Sequence, residues 1–151
     1  EVEHEFQSLS VLFLDLDHFK HINDAHGHAV GDACLGALVK ILAGELQYGD
    51  KLGRLGGEEF LILLPGANRR RARDIAEHMR RSIEHRCREI AGLPLALTVS
   101  VGVAEARRND SVHGLIARAD EAMYLAKHAG RNRVVTAEAT AELPAVDRAT
   151  V

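Results

Sequence analysis

The chain has 151 residues, 46% of them apolar, and a formal net charge of −3 with the histidines neutral. That length and apolar content fit one compact domain with a genuine core and leave no room for a second. The charge balance excludes the uniform basic field that duplex nucleic acid requires, so a polyanionic ligand has to be caught by local groups and a metal.

No apolar run approaches the roughly 18 residues that cross a bilayer, and nothing resembles a signal peptide. The expectation is a soluble, cytoplasmic domain without membrane contact. Cys34 and Cys87 stand singly inside helical patterns and are expected to be buried, reduced thiols. His18, His21, His26 and His28 fall in a stretch read as loop, without the cysteine partners or spacing of a zinc site.

Ser10 to Leu16 is a short apolar run bounded by turn residues, which fits a strand in a sheet covered on both faces. Leu35, Leu38, Val39, Leu42 and Leu46 recur at helical spacing and predict a first helix from Gly31 to Gln47. Lys51 to Leu55 and Phe60 to Leu64 form two strands joined by Gly56, Gly57, Glu58 and Glu59, the glycines supplying the positive φ of a tight hairpin. Ala72, Ile75, Ala76, Met79 and Ile83 predict a second helix from about Arg69 to Ile90, capped by Asn68, with its arginines on a solvated face. Leu95 to Val103 reads as a central strand. Val112 to Ala129 reads as a third helix that stops at Gly130 in a left-handed cap. Arg133 to Thr136 adds an edge strand, and residues 137–151 read as a loosely held tail after a domain spanning 1–136. The order βαββαβ predicts an α+β, ferredoxin-like or palm-type fold, an antiparallel-containing central sheet with helices packed on one face.

The chemistry concentrates at two acidic clusters. Asp15 and Asp17 end the first strand, and Glu58 and Glu59 stand at the hairpin tip. If the two strands pair antiparallel, Asp15 faces the hairpin acids across the sheet. Such oxygens suit magnesium, which takes one or two protein carboxylates and completes its shell with water and substrate phosphate, so a nucleoside triphosphate is the expected ligand. Taken alone, Asp15 and Asp17 read as a strand end followed by an Asx turn, and Gly56-Gly57 as an ordinary hairpin. Successive side chains alternate, so Glu58 and Glu59 cannot point the same way unless the turn bulges; Glu58 is the expected ligand. The backbone N–H groups of His18 and Phe19 are placed to cradle phosphate as an anion nest, with Lys20 adding charge.

Together the motifs resemble the GGDEF domain, the catalytic module of diguanylate cyclases, in a Gly-Gly-Glu-Glu-Phe variant. The resemblance runs from about Val11 to Val135 and rests on Asp15-Leu-Asp-His-Phe-Lys20, Ile22-Asn-Asp24, Gly27-His28, Gly31-Asp32, Arg54-Leu-Gly-Gly-Glu-Glu-Phe60, Ser100-Val-Gly-Val-Ala104, Ala119 to Lys127 and Gly130-Arg-Asn132. It implies a cation, Mg2+ or alternatively Mn2+, held by the Asp15 and Glu58 carboxylates and the Leu16 carbonyl, with Glu59 near a second metal or the attacking hydroxyl. It also implies GTP as substrate, cyclic di-GMP as product, and an antiparallel homodimer for turnover. Asn23 and Asp32 then recognise guanine, whose N1–H and N2–H₂ match a carboxylate; read without the resemblance they are a loop residue and a helix cap. Lys127 and Arg131 share one side of the third helix and reach the triphosphate, where the helix dipole alone is the plainer explanation.

Two departures stand out. The family's inhibitory product site has Arg-x-x-Asp where this chain has Gln47-Tyr-Gly-Asp50, and glutamine has neither the charge nor the fork of a guanidinium. Feedback through that site is not expected, and retained product would occupy the guanine pocket instead. The family's usual upstream segment is missing, so the chain reads as a domain cut from a longer protein. The rival readings are a catalytically silent nucleotide-binding or effector module, and a palm-like enzyme acting on another nucleotide.

Overall fold

The computed structural model describes residues 7–137. Five strands form one sheet in the order β2-β3-β1-β4-β5. β1 (Leu9–Leu16) lies at its centre, antiparallel to β3 (Glu59–Pro65) on one side and to β4 (Val99–Glu105) on the other. β2 (Lys51–Gly56) closes the hairpin with β3, and β5 (Arg133–Thr136) joins β4 in parallel. The α+β class and the palm-type strand order agree with the sequence reading.

The helices do not. α2 (His28–Glu45) and α3 (Arg69–Arg86) cover one face, but α4 (Val112–His128) covers the other. The expectation of helices on a single face is therefore corrected. The cause is visible in β1, where every residue from Ser10 to Leu16 is buried. Leu12, Leu14 and Leu16 point into the core beneath α2 and α3, while Val11 and Phe13 point into a second core with Leu115, Ala119 and Met123 of α4. A strand alternating between two apolar layers needs a cover on each side.

A second correction concerns the segment after β1. The sequence places His18, His21, His26 and His28 in a loop, yet Phe19–His26 forms a short helix, α1, that packs on α2 and buries Ile22, with His18 at its N-cap and His28 opening α2. Other boundaries move less: α2 starts at His28, α3 ends at Arg86, and β4 starts at Val99 instead of Leu95. Asn68 caps α3 as expected, its side chain accepting from Arg71 N. Cys34 and Cys87 are buried free thiols whose pKa values burial pushes up. Ala137 packs into the second core, and residues 138–151 of the expected tail lie outside the described residues.

One contact fixes α4. A Cβ on Gly102 of β4 would lie 2.0 Å from the Ala119 carbonyl oxygen and 2.3 Å from Met123 N. The helix therefore rests on bare strand backbone. At its far end Gly130 N donates to the Lys127 carbonyl and Arg131 N to the Ala126 carbonyl, a Schellman closure with Gly130 at φ 124. Arg131 and Asn132 follow at φ 65 and 45, left-handed values that cost non-glycine residues energy and persist only when held by their surroundings.

Candidate functional site

The antiparallel register brings the two acidic clusters together. Asp15 is paired with Glu59 across β1 and β3, and Leu16 N donates to the Glu58 carbonyl at 3.2 Å. The β2/β3 register shifts between Arg54 and Gly56, so the hairpin bulges, and Arg54 Nε donates to the Gly57 carbonyl at 2.9 Å to hold the tip. That bulge meets the condition set by side-chain alternation: Glu58 and Glu59 both line one cavity with Asp15 and Leu16.

The cavity has a volume of about 760 Å³ and opens at the end of the sheet. One wall is the N-terminus of α1, contributing His18, Phe19, Lys20, His21 and Asp24; the other is the last turns of α4, contributing Asp120, Met123, Tyr124, Lys127 and Arg131. The first N–H groups of a helix have no partner inside it, so α1 presents donors and the positive end of its dipole to the space above Asp15. His18, at φ 59, makes the sharp entry into that helix. The expected phosphate nest is thus a helix N-terminus.

Asp15 is 5% exposed, and its pKa is raised to about 6, chiefly by burial and further by Glu58 and Glu59. Lys127 opposes that rise, its Nζ 2.6 Å from Asp15 Oδ1. Asp17 is different in kind. It is buried, and its oxygens accept from Thr98 Oγ1 at 2.7 Å, Ser100 Oγ at 2.7 Å and Asn132 N at 3.0 Å. It ties the end of β1 to β4 and to the left-handed loop after α4, a wider role than supporting its own turn. Asn132 extends the tie, accepting from Arg80 Nη1 of α3 at 2.8 Å.

The donor set fits a hard divalent cation. Three carboxylates crowd one edge, and the Asp15 pKa is raised chiefly by burial, with the Glu58 and Glu59 charges adding to the rise. Among the described residues no group of three or more His, Cys, Asp or Glu side chains is arranged to hold a metal by itself. A cation here would take one or two carboxylates and would need oxygens from a ligand, which is how magnesium binds.

Not every predicted residue joins this cavity. Asp32 lines a neighbouring groove of about 350 Å³ with Leu35, Gly36, Val39, Arg54 and Phe60. Asn23, on α1, is seated against Gly31, where a Cβ would lie 1.8 Å from Asn23 Oδ1, and that oxygen has no hydrogen-bond partner. Gly56 and Gly57 shape the hairpin with φ 153 and 52. Gln47 and Asp50 sit at the opposite end of β2, where Asp50 Oδ2 accepts from Gln47 N at 2.9 Å. They border a separate cleft of about 270 Å³. The sequence reading did not single out His21, Asp24, Asp120, Met123 or Tyr124 as site residues. For α4 the signal was present, since Asp120, Met123, Tyr124 and Lys127 recur at three and four on one helix side.

Fold and cavity define an α+β domain with a carboxylate-edged cavity, walled by a helix N-terminus and two basic side chains, at the end of a palm-like sheet. The family model described as "Diguanylate cyclase, GGDEF domain" matches residues 1–133. The chain is 46% identical over 131 residues to the diguanylate cyclase DgcM of Escherichia coli (strain K12), covering 87% of this chain and 31% of that protein. It is 42% identical over 138 residues to the diguanylate cyclase VdcA of Vibrio cholerae, covering 87% and 40%. The GGDEF domain of DgcB from Caulobacter crescentus, solved in complex with c-di-GMP, matches with a TM-score of 0.82 at 33% identity, over 87% of this chain and 78% of that one. This chain belongs to the GGDEF domain family of diguanylate cyclases. It spans about a third of the length of the curated relatives it matches.

Proposed function

We propose that this chain is the catalytic domain of a diguanylate cyclase, condensing two GTP into cyclic di-GMP with release of two pyrophosphates. The observation that carries the reading is the convergence of Asp15, Glu58 and Glu59 with Lys127, Arg131 and the α1 N-terminus around one cavity. Acids alone would suit a metal store and cations alone an anion trap. Both together suit a metal-bound polyphosphate.

Asp15, Glu58 and the Leu16 carbonyl would hold the divalent cation, magnesium or manganese, and Glu59 stands beside them for a second ion or the attacking hydroxyl. Such a cation, when bound, polarises the phosphates and lowers the pKa of a nearby ribose hydroxyl. The α1 N-terminus at His18, Phe19 and Lys20 receives phosphate oxygens, and Lys127 and Arg131 neutralise them from α4. Gly56 and Gly57 keep the hairpin tip free of side chains. Asn23 and Asp32 read the guanine edge from α1 and α2, and retained cyclic di-GMP would occupy that same pocket. Each domain binds one GTP, so the 3′-oxygen of one nucleotide attacks the α-phosphorus of another held by a facing copy, expelling pyrophosphate twice per cycle. Turnover therefore needs a homodimer, and catalysis is chiefly positioning. Gln47 in place of an arginine removes one guanidinium from the cleft beside Asp50, where Arg71 is the arginine that remains, and so weakens that cleft as a product site; GTP as substrate sets the domain in the cytoplasm.

The test is incubation with GTP and magnesium at rising protein concentration, with chromatography of the products. A cyclic dinucleotide made by the wild type, at a rate per domain that rises with concentration, and lost in Glu58→Ala supports the reading. GTP bound but never converted, at any concentration, would support the silent effector module instead.

A further inference from the structure

The contact between Lys127 and Asp15 assigns that lysine more than a grip on phosphate, on the strength of the site reading above. Lys127 Nζ lies 2.6 Å from Asp15 Oδ1 and 3.9 Å from Asp17 Oδ1, and its side chain is only 14% exposed. The two aspartates differ in what else they hold. Asp17 is committed to two hydroxyls and a backbone N–H. Asp15 Oδ1 has the Lys127 ammonium beside it and no hydroxyl or backbone N–H donor among the described residues.

An ammonium and a divalent cation cannot both sit against the same oxygen, because like charges that close repel strongly in a partly desolvated pocket. The lysine lies on the cavity wall facing the α1 N-terminus, so a triphosphate bound there offers it a second anionic partner within the same space. Asp17, bonded and immobile, keeps an anion near the ammonium after Asp15 is given up. We propose that Lys127 is a resident counter-cation of Asp15, displaced when a divalent cation binds and drawn off by nucleotide phosphate, so that cation and nucleotide bind cooperatively through this exchange. The cation alone then binds weakly, since it must first expel the ammonium. Nucleotide removes that obstacle, and by linkage the cation strengthens nucleotide binding by the same factor.

The experiment titrates Mn2+ into the chain without nucleotide and reads free ion by electron paramagnetic resonance. Lys127→Met is expected to bind Mn2+ at least about tenfold more tightly than wild type, and Lys127→Arg to stay within about twofold of it. Adding Asp15→Asn to Lys127→Met is expected to abolish the gain, which places the ion at Asp15. With chelator present, GTP is expected to bind Lys127→Met more weakly than wild type. Equal Mn2+ affinity in wild type and Lys127→Met would overturn the exchange, and equal GTP affinity in chelator would overturn the nucleotide's part in it. Lys127→Gln, uncharged and polar, carries the same comparison should the methionine variant fail to fold. Tighter Mn2+ binding by Lys127→Met, beside a wild type that makes no cyclic dinucleotide, would refute the proposed activity and leave the exchange standing.

Discussion

Replacing Gly102 with alanine tests whether the close seat of α4 on β4 sets the active-site geometry. The added Cβ would meet the Ala119 carbonyl at 2.0 Å and Met123 N at 2.3 Å, both backbone atoms that no rotamer change can clear. Ordinary carbon contacts begin near 3.4 Å. The helix must therefore withdraw by roughly 1 to 1.5 Å, at an overpacking cost of about 1–3 kcal/mol. Met123 lies within that contact, and Lys127 follows one turn later, so the withdrawal would stretch the 2.6 Å Lys127 to Asp15 pair. A misplacement of about 1 Å can reduce turnover by about a hundredfold. We expect Gly102→Ala to lower the urea midpoint and to reduce cyclic dinucleotide formation by more than its unfolded fraction explains. Gly44→Ala is the control: its added Cβ meets nothing within 4 Å, and alanine there should stabilise the helix by about 0.5–1 kcal/mol without loss of activity. Wild-type stability and turnover in Gly102→Ala would refute the argument.

Two further outcomes follow from the same geometry. Asp15 has a folded pKa of about 6 against 3.8 unfolded, so its ionisation opposes folding: the stability present below pH 4 is lost as pH rises through 6. That loss is at most about 3 kcal/mol in metal-free protein; urea unfolding across pH 4 to 7 should show it in wild type and not in Asp15→Asn, and identical slopes would remove Asp15 as the cause. Gly31→Ala would press on Asn23 Oδ1 at 1.8 Å and dislodge that side chain, so GTP binding should weaken about tenfold while urea stability drops by less than about 2 kcal/mol; unchanged GTP affinity would separate Asn23 from base recognition.

The acidic site was legible in the sequence because its parts obey short-range rules. Gly56 and Gly57 define a hairpin, Val11 to Leu14 a buried strand, and antiparallel pairing then brings Asp15 to Glu59. α1 was not legible, since only Ile22 of its eight residues is buried and a helix that short draws its stability from packing on α2 and not from its own sequence. The side on which α4 packs was equally hidden: Leu115, Ala119, Ala122 and Met123 mark an apolar stripe but not which face of the sheet receives it. The continuous burial of β1 held the answer, and the assumption of helices on one face contradicted it. His21 and Asp24 were missed with α1. Asp17 was underrated because its partners, Thr98, Ser100 and Asn132, are more than 80 residues away in sequence.

The two walls of the cavity belong to different hydrophobic layers. α1, and α2 beside it with Asp32 in the neighbouring groove, are rooted in the layer shared with α3, whereas Lys127 and Arg131 ride on or just past a helix seated in the smaller layer behind the sheet. Substitutions that reshape one layer reach the other through the strands that face both, β1, β3 and β4, and through the Arg80 to Asn132 bond. On the proposed roles, the choice of base and the hold on phosphate would draw on different layers and could drift separately during descent, which would give this architecture room to change its nucleotide without rebuilding its grip.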